Sequence, residues 1–80
     1  MPSAIIGCIS VIRRLLYWNE KRISFESSAE GVYVFIYHSP ESKFPERDYL
    51  QDNWQMAREF CIEDLGVPSS LFDDIDWPAD

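Results

Sequence analysis

The segment VYVFIY, residues 32–37, constrains the fold of this chain more than any other feature. Successive strand residues point to opposite faces of a sheet, so a strand here has one aliphatic and one aromatic face. A strand that is apolar on both faces is usually central in its sheet, or is covered by a helix on one side and a partner on the other. Alternatively, the tyrosines lie over an open face with their hydroxyl groups in water. The aliphatic residues are Val32, Val34 and Ile36, and the aromatic residues, a candidate dimer face, are Tyr33, Phe35 and Tyr37.

Two further strands are predicted before this segment. Residues 22–27 alternate, with Ile23 and Phe25 on one side and polar residues on the other, which is typical of a strand with one wet face. The SAEG sequence after them predicts a hairpin in which Gly31 accepts a positive φ. Residues 11–18 are rich in β-branched and aromatic residues and precede an NEK turn signal. This favours a strand, although a short helix also fits the spacing of the apolar residues.

The first ten residues, MPSAIIGCIS, are predicted to form a partly ordered leader or an extra strand. The apolar stretch that begins here is too short for a membrane span, which needs roughly twenty residues. Its basic residues follow the stretch, which is the wrong order for a secretory signal. Cys8 lies in this apolar run and Cys61 on an apolar helix face. We expect both thiols to be reduced and the protein to be cytoplasmic.

A polar loop with Pro40 and Pro45 is predicted before a helix that holds the domain together. Asp52 is the expected N-cap, with Gln55 completing a capping box, so the helix is predicted to start near Asn53. Gly66 and then Pro68 are expected to end it. The predicted core stripe of this helix, together with a residue that enters just before it, is Trp54, Ala57, Cys61, Leu65 and Leu50.

Two regions near the end of the chain are candidates for binding a partner. Met56 and Phe60 form a second helix stripe, turned toward Glu59 and Glu63, which lies either at the margin of the core or on a partner-facing edge. The closing segment alternates apolar and acidic residues. It packs back on the domain in a helix-like turn, or it is an acidic and aromatic tail that docks on another protein. The candidate tail residues are Asp73, Asp74, Asp76 and Trp77.

Charge narrows the classes of partner. The chain carries a formal charge of −7, and residues 41–80 carry three basic against eleven acidic side chains. Binding to nucleic acid or to an anionic membrane depends on Lys and Arg, so neither is expected. The acidic half is explained by solubility, or it accelerates the encounter with a basic protein partner.

No catalytic, metal or cofactor site is predicted. His38 is the only histidine, and no run has the spacing of a zinc or calcium site. No phosphate-binding glycine loop or nucleophile elbow is present in the sequence. Cys61 is predicted to be buried and His38 has no identifiable acid partner, so a Cys–His enzyme is not expected.

Residues 1–80 are therefore predicted to be a single small α+β domain. We expect an antiparallel sheet of three or four strands in β-β-β-α order, one principal helix packed on one face and a short C-terminal turn or helix. The expected function is a non-enzymatic protein-interaction or regulatory module for a protein partner, which the charge suggests is basic. The alternatives are a structural homodimer that buries the aromatic face, or a weak binder of a small ligand on those aromatics.

Overall fold

The computed structural model describes residues 11–79. Four strands are followed by a helix and a short C-terminal helix, so the predicted α+β class is confirmed. The second half of the main helix, Cys61–Leu65, has the wider turn of a π-helix. The elements are β1 (Arg13–Trp18), β2 (Lys21–Ser28), β3 (Gly31–Tyr37), β4 (Arg47–Gln51), α1 (Trp54–Phe60), the π-helical segment Cys61–Leu65 and α2 (Ser70–Asp73).

The sheet is an antiparallel meander in the order β1-β2-β3-β4. Asn19 and Glu20 connect β1 to β2, and both have positive φ (52° and 63°), the conformation that matches the twist of a two-residue hairpin. Gly31 has a φ of 145°, as the sequence predicted, and a Cβ at this position would collide with the backbone carbonyl of Gln51. Both requirements exclude a side chain at residue 31.

The fourth strand, β4, corrects the prediction of a continuous loop before the helix. It pairs with β3, and Tyr49 lies opposite Val34 on the helix-covered side of the sheet. The strand is short, at an edge, and follows two prolines, so its alternation was masked by loop-like composition. The observed order is β-β-β-β-α. The predicted extra strand in residues 1–10 lies outside the described residues.

The core lies between one face of the sheet and the helix. Trp54, Ala57 and Cys61 are buried as predicted, with Ala57 and Cys61 at 0% exposure, and Leu65 is half-buried. The prediction for Leu50 is wrong. As the neighbour of Tyr49 in β4 it points to the other side of the sheet and is 47% exposed. The buried apolar residues are Leu16, Ile23, Phe25, Val32, Val34, Ile36, Trp54, Ala57, Cys61, Val67 and Phe72.

The helix boundaries differ from the prediction by one residue at the start. Asn53, not Asp52, is the N-cap, and its side-chain oxygen accepts a hydrogen bond from the backbone N–H of Met56 at 2.8 Å. The predicted capping box therefore does not form, and Gln55 instead donates to Glu59 at 3.0 Å. At the other end Gly66 has a φ of 83°, which confirms it as the helix stop. Trp54 can then be both the first helical residue and a core residue.

Candidate functional site

Trp77 is half-buried against the core and does not project from a free tail. Its indole ring meets the rings of Phe25, Trp54 and Phe72 edge-on, at centroid distances of 4.8, 5.0 and 5.0 Å. Its N–H donates to the backbone carbonyl of Trp54 at 3.0 Å. The closing segment therefore packs back on the domain, which is one of the two interpretations that the sequence left open. Trp77 is half-buried there and does not lie on a free tail, and its role in binding a partner stays a prediction.

The acidic residues of the same segment lie on the surface. Asp73 and Asp74 are exposed at the end of α2. The Asp76 side chain is 98% exposed and lies 3.7 Å from the guanidinium of Arg14, which also donates to the Asp76 backbone carbonyl at 2.6 Å. This tie between β1 and the closing segment fixes the chain beside Trp77. The structure thus separates the tail acids from the aromatic residue expected to act with them.

The structure brings Met56 and Phe60 together with three carboxylates in one open hollow of about 340 Å³. Met56 is 43% exposed, and Phe60 is half-buried with its ring 4.6 Å from that of Tyr49. Phe60 therefore lies at the margin of the core and Met56 faces outward, and binding of a partner at this edge stays a prediction. Asp64 was not singled out from the sequence, although its position four residues after Phe60 places it on this stripe. We call this surface the acidic flank, and it comprises Met56, Glu59, Phe60, Glu63 and Asp64.

The acidic flank has no positive charge of its own. Gln51 completes its lining, and no Lys or Arg takes part. None of the ion pairs found within residues 11–79 includes Glu59, Glu63 or Asp64. The basic residue of the same helix, Arg58, lies against the Phe72 ring at 5.5 Å. Three carboxylates beside an exposed thioether therefore create a negative and partly apolar surface.

The predicted aromatic face is the side of the sheet that the helix does not cover. Tyr33, Phe35 and Tyr37 are half-buried there, and the rings of Tyr33 and Phe35 stack at 5.9 Å. The strand pairing adds three residues that were not predicted for this face, and they are 49%, 58% and 47% exposed: Leu15, Tyr17 and Leu50. In β1 the alternation around Leu16 could have identified the first two. We call this surface the open face.

The strand residues of the open face carry as many positive as negative charges. Arg13 lies 3.5 Å from Glu26. Arg22 stacks at 3.9 Å over the Tyr37 ring and donates to the carbonyls of Pro40 and Ser42. Asp48 is the second acid among the strand residues of this face.

At the margin of the open face, the Tyr33 hydroxyl donates to the Glu30 carboxylate. This bond raises the pKa of Tyr33, and burial and the negative charges of Glu30 and Asp48 add to the effect. The Tyr33 hydroxyl therefore stays protonated beside its acceptor at neutral pH.

Cys61 and His38, the two residues considered for a Cys–His site, have different surroundings. Burial raises the pKa of the Cys61 thiol to about 12, so the nucleophilic thiolate is disfavoured. His38 is exposed and lies 3.8 Å from Glu46, whereas Cys61 is fully buried. No group of three or more potential ligands suited to a metal ion occurs in this part of the chain.

A second hollow, of about 250 Å³, lies at the β1–β2 hairpin end of the sheet. Ile23 and Ile36 are among the residues that line it. Lys21 and Glu46, which form an ion pair at 3.4 Å, also line it. The aromatic residues suggested for a small ligand, Tyr33, Phe35 and Tyr37, line neither of the two hollows. These hollows therefore give no support to a small-ligand site on the open face.

Comparison with protein-family models, curated proteins and solved structures found no match. Among residues 11–79, no helix has the length and apolar character needed to cross a membrane.

Proposed function

We propose that this protein is a non-enzymatic protein-interaction module whose acidic flank binds a basic segment of another protein. The observation that carries the proposal is the exposed thioether of Met56, surrounded by carboxylates that have no ion-pair partner within residues 11–79. A cytoplasmic location is part of the proposal and is supported by the free, buried thiol of Cys61, because disulfides are rare in reducing compartments.

Lysine and arginine have the chemistry that this surface suits. Both carry an aliphatic stem below a charged head, so the stem can lie on Met56 and Phe60 while the head meets a carboxylate. Met adapts its shape to the surface it meets, which suits a segment that is held mainly by charge. A partner with two or three basic residues along one side of a helix or an extended segment fits this description.

The charge of the whole chain supports the same partner class. Residues 41–80, which contain the acidic flank, have a formal charge of −8, because eleven acidic residues oppose three basic ones. A field of this sign attracts a basic protein before contact and raises the rate of association at low salt. Screening shortens the range of that attraction to about 8 Å at physiological ionic strength. Binding through the acidic flank is therefore expected to weaken as salt is added.

The test uses a lysine-rich amphipathic peptide as the probe and calorimetry as the measurement. The variant Glu59→Gln/Glu63→Gln/Asp64→Asn removes three charges at the acidic flank. Its matched control, Asp73→Asn/Asp74→Asn/Asp76→Asn, removes three charges at the tail. At ~0.5 kcal/mol for each exposed charge pair, the flank variant should bind roughly tenfold more weakly.

The control variant decides how a loss of binding is interpreted. If both variants bind equally weakly, the peptide responds to net charge alone, and the assignment to the acidic flank is wrong. If neither variant changes binding, charge is not the basis of recognition. A Met56→Ser variant tests the apolar part, because it shortens an exposed side chain without changing charge.

A further inference from the structure

We propose that a second copy of this chain covers the open face of the sheet and forms a symmetric, reversible dimer. This inference is independent of the acidic flank, which lies on the other side of the sheet. The first observation is the composition of the face. Antiparallel sheets that leave one face in water usually alternate apolar and polar residues. Here the face that the helix of residues 11–79 leaves open carries six large apolar or aromatic side chains: Leu15, Tyr17, Tyr33, Phe35, Tyr37 and Leu50.

The polar residues of the open face also fit a contact between proteins. Arginine and aromatic residues are enriched in interfaces, whereas lysine is depleted. The face holds Arg13 and Arg22 and no lysine, because Lys21, the one lysine in the four strands, points to the other side. Arg22 stacks on Tyr37, which keeps its guanidinium flat against the surface. The face can therefore be covered without burying a flexible ammonium group.

Charge favours a second copy over an unrelated partner. The strand residues of the face include two basic side chains, Arg13 and Arg22, and two acidic ones, Glu26 and Asp48, so their charges sum to zero. The chain as a whole has a charge of −7. A partner selected by charge would be expected to meet a charged surface, whereas two identical neutral faces can approach each other without local repulsion.

The positions of these charges also indicate how the two copies are arranged. Arg13 lies on edge strand β1, and Asp48 lies on the opposite edge, β4. A two-fold axis parallel to the strands places β1 of one copy over β4 of the other. The register puts Arg13 in line with Leu50, two residues along the strand from Asp48. The long Arg13 side chain therefore has to reach about 7 Å along the strand to meet Asp48 of the second copy, and the symmetry makes this contact twice. The twist of the sheets leaves the facing strands about 30° apart, as in aligned packing of two sheets.

The size of the face predicts a weak dimer. Four strands spaced about 4.8 Å apart, with about five residues of 3.3 Å each, give a face of roughly 320 Å² on each copy. Two such faces bury less than the roughly 1,200 Å² of a standard interface, even when the side chains that project from the sheet add to the buried area. The dissociation constant is therefore expected on the order of 10–100 µM. Both helices lie on the outer sides of this dimer, so both acidic flanks stay accessible.

Sedimentation equilibrium from about 10 µM to 1 mM protein tests the dimer. The mass should rise with concentration from 9.4 kDa toward twice that value. Salt screens both the repulsion between two chains of charge −7 and the two contacts between Arg13 and Asp48, so the dimer should change little with salt. Binding of a basic partner at the acidic flank should weaken clearly as salt is added, so the two proposals can fail separately.

Two variants of the open face and one control locate the contact. Tyr17→Glu and Phe35→Glu should each keep the protein monomeric, and Tyr17 is exposed enough that its variant should still fold. Met56→Glu, on the opposite side, should leave the dimer unchanged. A mass that stays at 9.4 kDa at every concentration overturns the proposal. The occupant of the open face would then be residues 1–10 or a different protein. A dimer that both open-face variants leave intact also overturns the proposal.

Charge reversal tests the arrangement of the strands. Arg13→Asp or Asp48→Arg alone should weaken the dimer about tenfold, because each places two like charges opposite each other twice. The double variant should restore most of the affinity. If Tyr17→Glu abolishes the dimer but the double variant is no tighter than the single ones, the arrangement of β1 over β4 is wrong.

Discussion

Replacing Trp77 by alanine should destabilise the whole domain, because the packed ring closes the core from the C-terminal side. A buried aromatic side chain removes about 150–250 Å² from water, and Trp77 is partly buried, so its removal costs roughly 3 kcal/mol in free energy of unfolding. That value agrees with measured Trp→Ala changes in cores, about 3–5 kcal/mol. The Trp54 carbonyl also loses the indole donor. For a chain of 80 residues the total stability is about 4–12 kcal/mol, so the loss is a large fraction.

Thermal and urea unfolding followed by far-UV circular dichroism measure this effect. A loss of 3 kcal/mol in a domain of this size lowers Tm by about 12–24 °C. The matched control is Trp77→Phe, which keeps an aromatic ring and removes the N–H donor, and it should cost about 1–2 kcal/mol. An unchanged Tm in the alanine variant would refute the packing argument. The closing segment would then be a free tail, and Trp77 would again be a candidate docking residue.

Further predictions concern the helix and its buried thiol. Asn53→Ala should lower the free energy of unfolding by about 1 kcal/mol through loss of the cap, whereas Asp52→Ala should change it by less than about 0.5 kcal/mol in the same urea titration. Ala57→Leu should cost about 1–3 kcal/mol in thermal unfolding, because Ala57 has no exposed surface and the helix would be pushed from the sheet. Cys61 has a folded pKa of about 12, raised from 9.0, so stability should fall as pH rises from about 9 toward 12. A Cys61→Ala variant should lose that part of the pH dependence. In a Cys8→Ala background, a thiol reagent should react with Cys61 only after unfolding.

The hairpins could be predicted from the sequence because local residues determine them. Gly31 is required by a positive φ, and the alternation of Ile23 and Phe25 continues through the hairpin into β3. The fourth strand could not be predicted in the same way. Its residues are charged or follow prolines, and β4 exists because Tyr49 packs beside Val34 and against Phe60. That pairing depends on parts of the chain that are distant in sequence.

The start of the helix depended on a choice that local rules leave open. Asp52 and Asn53 are equally good caps by residue type, and the requirement that Trp54 enter the core selects the second. Leu50 was also assigned to the wrong face of the sheet. Its direction is set by its place in strand β4 and not by the helix that follows.

The candidate surfaces were partly predictable. The aromatic face of β3 follows from alternation alone, so Tyr33, Phe35 and Tyr37 were identified. For Trp77 the sequence offers two interpretations, since an apolar residue among acids suits both a packed segment and a docking tail. Only the three rings around it, and the contact of Arg14 with Asp76, decide between them.

The meander order of the sheet has a consequence for synthesis on the ribosome. Every strand pairs with its neighbour in sequence, so the sheet can form as soon as Gln51 has emerged. Its aliphatic face then has no cover until residues 52–77 follow, which takes roughly 1–5 s at about 5–20 residues per second. During that interval both faces of the sheet are apolar. The nascent chain is therefore most exposed to aggregation and to chaperone binding after its sheet has formed and before its helix arrives.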